Sequence, residues 1–140
     1  MYVIYNETGV ITATIVGPDE TYGPNVLDKN HQKWIFLKST SSLDPRTTYI
    51  DVATRQVVQA APIQLAVDKA SFKADGNDAV KITGIPLHAS VAVFCNGAIQ
   101  TQQTMVDDHL EITAAAPAEY RIDVSCLHYL PASVTIEATA

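Results

Sequence analysis

The residues of this chain best placed to do chemistry lie in SFKADGNDAVKITGIP, residues 71–86, where Asp75, Asn77 and Asp78 surround Gly76. Side-chain oxygens at this spacing can open a calcium loop. A complete loop needs about six oxygen ligands in a set rhythm and a bidentate acid near its end. Here the run turns apolar at Ala79-Val80 with no closing carboxylate, so the stretch reads as a turn between strands. The four histidines, His31, His88, His109 and His128, stand singly, with no second histidine two or four residues on, and read as loop or edge residues. Asp107-Asp108 reads as a hairpin loop, because a carboxylate pair doing acid–base work has to sit in a concave site. Cys95 and Cys126 lack metal-ligand spacing, and no histidine lies in the chain around Cys95 to activate a thiolate. There is no glycine-rich phosphate loop and no G-x-S-x-G elbow. The expectation is a protein that is not an enzyme and uses no metal or cofactor.

The bulk composition bounds the remaining choices. With 140 residues, 47% apolar and 17% charged, the chain suits one ordinary domain or two very small ones, folded rather than disordered. A net charge of −6 with no lysine or arginine cluster argues against a nucleic-acid partner. No run of about 18 apolar residues occurs, so no membrane-spanning segment is expected. The opening MYVIYNETGV lacks a basic n-region and a sufficient apolar h-region, so secretion through a cleaved signal peptide is not expected. Two cysteines are too few for a disulfide scaffold, and reduced, buried thiols made in a cytosol are the expectation.

Along the chain the apolar period is two almost throughout, which means strands. MYVIYNETGVITATIVGP reads as two strands joined at Asn6-Glu7-Thr8-Gly9, and KWIFLKS as a third. DETYGPNVLDKNHQ is an irregular connection with a short helical turn expected over 26–33, and STSSLDPRT is a loop. TTYIDVATRQVVQA gives a second hairpin turning near Ala53-Thr54-Arg55. Residues 1–60 thus form an antiparallel meander with little core of its own.

AAPIQ at 60–64 breaks the pattern. Over residues 63–140 about seven short strands then recur at sandwich spacing: IQLAVDK, AVKITGI, ASVAVFCNG, GAIQTQQTMV, HLEITAA, EYRIDVSCL and SVTIEAT. The expected fold is all-β with under about one tenth helix, an N-terminal meander followed by an Ig-like sandwich; a jelly roll or barrel carries the same local signals. In EYRIDVSCL, Tyr120, Ile122, Val124 and Cys126 share one face, and the Tyr120 hydroxyl is placed to tie back to the backbone at the AAPAEY corner. Val91, Val93 and Cys95 share a face with Phe94 opposite, which indicates a central strand or an outer face that is covered. Cys95 and Cys126 then fall on strands that could be neighbours, both facing inward.

The aromatic residues Tyr22, Trp34, Phe36, Tyr49 and Tyr129 are the remaining candidates for a binding surface, since aromatics are enriched at interfaces; the same residues can fill a small core. The order of MYVIYNETGVITATIVGP, TTYIDVATRQVVQAAP, VDKASFKADGNDAVKITGIP and VDDHLEITAAAPAEYRIDVSCLHYLP resembles small tailed-bacteriophage proteins in which an N-terminal β-hairpin region precedes an Ig-like module. The resemblance implies a virion component assembled in the host cytoplasm, in or beside the tail-fibre apparatus, or a capsid decoration or cement protein. It implies other virion proteins as partners and a homo-oligomer. A carbohydrate-binding adhesion module that meets a host surface glycan would share these features.

Overall fold

The computed structural model describes residues 1–38 and 43–140, so the loop expected over STSSLDPRT falls partly outside the described residues. The protein is all-β, 4% helical and 51% strand, well inside the expected helical limit. It divides into two compact units, residues 1–60 and 61–140.

The first unit is built around β1 (Tyr2–Tyr5), flanked by β2 (Ile11–Ile15) and β3 (Lys33–Phe36), both antiparallel to it. All four residues of β1 are buried, because the sheet is covered on both faces. On one face Val3 and Tyr5 pack with Ile11, Ile35 and Ile50, the last from the antiparallel hairpin of β4 (Thr48–Asp51) and β5 (Gln56–Gln59). On the other, Tyr2 and Ile4 pack with Leu27. The β1–β2 turn is closed by Asn6, whose Oδ1 accepts from the Thr8 and Val10 N–H groups, each at 3.0 Å. Asp51 does the same for the second hairpin, accepting from Ala53 and Thr54.

The helical turn differs from its expected place at 26–33. It is a single π-helical turn, Gly23–Leu27, and Lys33 already belongs to β3. Pro24 supplies a preset φ at its first turn, and burial of Leu27 against Tyr2 holds it down.

The second unit is a sandwich. One sheet has the order β11 (Ala98–Thr104), β10 (Ser90–Cys95), β13 (Ala118–Ser125), β15 (Ala132–Thr139), β8 (Ser71–Lys73), and the facing sheet runs β12 (His109–Thr113), β9 (Ala79–Thr83), β7 (Ala66–Val67). Val80, Ile82 and Ile112 from one sheet meet Val91, Val93, Ile122, Val124 and Ile136 from the other in a single buried core. The antiparallel pairing is broken only where β8 runs parallel to β15 and where β6 (Ala61–Pro62) pairs β14 (Tyr129–Leu130) in parallel. This is an Ig-like arrangement.

IQLAVDK is not one strand. β7 covers only Ala66–Val67, and after Asp68 the chain crosses to the other sheet as β8. The crossing is pinned by Asp68, whose Oδ1 accepts from the Lys81 N–H at 2.9 Å. A period of two cannot register such a switch, since both pieces alternate.

Candidate functional site

Every oxygen in the 75–78 turn that has a partner faces a protein donor. Asp75 Oδ1 accepts from the N–H groups of Asn77 and Asp78, both at 2.8 Å. Asp78 Oδ2 accepts from the Lys73 N–H at 2.8 Å, and its Oδ1 meets Lys69 Nζ. These bonds favour the ionised form: the Asp78 N–H holds the Asp75 carboxyl below its ordinary value, and Lys69 does so for Asp78. Their stabilisation is therefore present at neutral pH and is lost as the pH falls through the depressed values. The stretch closes a turn between β8 and β9. Among the described residues, no group of three or more histidine, cysteine, aspartate or glutamate side chains is placed to hold a metal.

Three of the four histidines are turn residues for a backbone reason. His31, His88 and His128 adopt φ of +56°, +65° and +69°, in the left-handed region that bulky residues avoid and histidine tolerates better than most. His109 opens β12, its Nδ1 at 3.2 Å from Asp108 Oδ1. Asp107 and Asp108 are exposed between β11 and β12.

The strands bearing Cys95 and leading to Cys126, β10 and β13, are neighbours, but Cys126 lies one residue past the end of β13 and the two cysteines are far apart. β10 and β13 run antiparallel with Cys95 opposite Tyr120 and Ser90 opposite Ser125, so Cys126 lies beyond the far end of the pair. At the strand rise this is a separation of roughly 20 Å, against the limit of about 7 Å between Cα atoms for a disulfide. Both thiols are free and half-buried. Cys95 lies opposite Tyr120 on the neighbouring strand, and burial first, then that thiol, raises the Tyr120 phenol above its ordinary value. Thiol titration of denatured protein without reductant should find both cysteines free; finding neither would require intermolecular or rearranged pairing.

The aromatic candidates separate into three places. Tyr22, Trp34 and Phe36 surround the fully buried Tyr2, with ring centroids at 5.6, 5.3 and 4.8 Å from it, and each remains partly exposed. Trp34 Nε1 donates to Asp28 Oδ1 at 2.8 Å. Tyr49 is half-buried on β4, and Tyr129 is 40% exposed on β14. Tyr2, the hub, carries no sign of its role in the sequence beyond its place in an alternating strand.

A second feature escaped the reading of the sequence. The outer face of β10, β13 and β15 carries a depression of about 390 Å³, lined among others by Ser90, Ala92, Gln102, Asp123, Ser125 and Ser133. Short side chains on adjacent strands leave the space. Asp123 is held in place by Arg121 Nε at 3.2 Å and Ser133 Oγ at 2.8 Å, both on its Oδ1. The Arg121 guanidinium also covers the Phe94 ring at 4.3 Å from its centroid, which explains how an apolar residue sits on this face. No helix among the described residues is long and apolar enough to cross a membrane. No protein-family model, curated protein or solved structure matches the chain.

Proposed function

We propose that the protein is a non-enzymatic structural component of a bacteriophage virion, tail or tail-fibre associated, that docks onto other virion proteins through residues 1–60. The reading rests on the resemblance of the chain to small tailed-phage proteins, and one structural observation supports the assignment of the docking half. In the first unit the apolar residues are divided between two small clusters on opposite faces of one three-stranded sheet. Tyr22, Trp34 and Phe36 are left half-open at the edge of one cluster, where a partner surface can finish burying them. The second unit, by contrast, closes around a single core.

Deleting residues 1–60 from the protein in a phage that carries it should leave residues 61–140 folded, soluble and absent from particles. Recovery of the truncated protein in particles at normal occupancy would reverse the assignment of the two halves.

The depression around Asp123 favours a second reading, a carbohydrate-binding module directed at a host surface glycan. A fixed carboxylate with serine hydroxyls and an amide beside it suits the hydroxyl groups of a neutral sugar, and the volume falls in the range of small-ligand sites. Saturable sugar binding by the isolated protein, lost in Asp123→Asn, would select that reading over the first.

A further inference from the structure

We infer that the depression around Asp123 is one subsite of a longer groove, which takes a chain of linked neutral pyranose rings and uses Tyr129 as the platform for a second ring. The inference rests on the sugar-binding reading and adds to it the length of the ligand and the residue that selects for length.

The first subsite is set by strand register. Gln102, Ala92, Asp123 and Ser133 stand side by side across β11, β10, β13 and β15. Arg121 Nε and Ser133 Oγ both donate to Asp123 Oδ1, so Oδ2 is the oxygen offered to a ligand hydroxyl. The Gln102 amide at the other end of the row can both donate and accept.

The row continues along the chain. Tyr129, Pro131 and Ser133 are exposed, with Leu130 and Ala132 half-buried between them. Residues two apart on an extended chain share a face. Pro131 and Ser133 both line the depression, so Tyr129 follows them on the same outer side. Four residues at the strand rise make about 13 Å from Ser133 to Tyr129, more than one pyranose ring spans.

Tyr129 suits a platform because it is open. Among the described residues it is the only exposed aromatic, at 40%, every other being buried or half-buried. Its parallel neighbour on β6 is Ala61, too small to cover a phenol ring. An open aromatic face takes the apolar C–H face of a sugar, while the hydroxyl groups at the sugar's rim stay free for polar partners. Phe94, on the outer face of β10, cannot serve in the same way, since the Arg121 guanidinium lies over it.

Charge selects a neutral chain. Among the described residues no lysine or arginine lines the depression, and residues 124–136 contain no aspartate, glutamate, lysine or arginine. An acidic sugar would bring its carboxylate towards Asp123 with no cation to meet it, and like charges set together cost affinity.

The test is isothermal titration calorimetry on the purified full-length protein with glucose, cellotriose, galactose and β-linked galactotriose, and with trigalacturonic acid as the acidic arm. One neutral trimer should bind at least tenfold more tightly than its own monosaccharide. Tyr129→Ala should remove that gain and leave the monosaccharide affinity within twofold, Tyr129→Phe should keep the gain, and Asp123→Asn should weaken trimer and monosaccharide alike. The far-UV circular dichroism spectrum should be unchanged; should Tyr129→Ala misfold, Tyr129→Leu, which keeps bulk without a flat ring, takes its place. A trimer no tighter than its monosaccharide, or a gain indifferent to loss of the Tyr129 ring, overturns the inference, while monosaccharide binding that depends on Asp123 leaves the sugar-binding reading standing. Tighter binding of trigalacturonic acid than of either neutral trimer also overturns it. No binding of any of these sugars removes the inference and the reading together.

Discussion

Replacing Tyr2 by alanine is expected to destabilise the first unit by about 3–5 kcal/mol, the range for truncating a fully buried aromatic residue. Tyr2 is 0% exposed and is the one ring touched by Tyr22, Trp34 and Phe36, so its removal leaves a cavity that three half-exposed neighbours cannot close without losing their own packing. Its hydroxyl also donates to Asp19 O at 2.6 Å, tying the connection after β2 to the sheet. A unit of this size has a stability on the order of 3–9 kcal/mol, so the substitution removes much of it. Trp34 is the only tryptophan and lies in the same cluster, which makes its fluorescence a reporter of the first unit. In urea, the Trp34 transition of Tyr2→Ala should move to much lower concentration. Tyr2→Phe, which keeps the ring and loses the hydrogen bond, should cost about 1 kcal/mol. An unmoved Trp34 transition in Tyr2→Ala would show that the aromatic cluster does not hold this unit together.

Gly84→Ala should be the corresponding lesion in the second unit, at about 2–5 kcal/mol. Gly84 has φ +82°, and a Cβ there would lie 2.1 Å from Gln64 O, a backbone atom that has no rotamer by which to move aside. The left-handed conformation alone costs a residue with a Cβ about 1–2 kcal/mol, and forcing backbone apart beside buried Ile85 adds about 1–3 kcal/mol. Gly76 provides the control. It has nearly the same φ, +79°, but nothing lies within 4 Å of its Cβ position, so Gly76→Ala should show the conformational cost alone. Urea unfolding followed by far-UV circular dichroism separates the two. Equal midpoints for Gly84→Ala and Gly76→Ala would mean that the Gln64 carbonyl yields freely.

Much of the fold was legible in local pattern. Val91 and Val93, Ile122 and Val124, and Ile136 and Ala138 alternate with more exposed neighbours, and each pair enters the sandwich core as a period of two requires. The turns were legible for the same reason. Asn6, Asp51 and Asp75 bond backbone within four residues of themselves, an interaction that a short stretch of sequence contains in full. The helical turn was mislaid by three residues at its start because its position depends on Leu27 reaching Tyr2, a contact between distant parts of the chain.

What the sequence determined by itself is therefore the class of the protein: strands joined by side-chain-capped turns, with apolar faces in alternation. What only the tertiary structure decided is everything that depends on which strand lies beside which, and in what direction. The antiparallel run of β10 against β13 sends Cys95 and Cys126 to opposite ends. The order β10-β13-β15 brings Ser90, Asp123 and Ser133 to one depression, although Ser90 and Ser133 are distant in the chain. The end position of β11 leaves an uncharged strand without a neighbour on one side. Strand partners are chosen by the burial of the whole core, and a pattern that repeats every second residue is the same whichever neighbour the strand acquires.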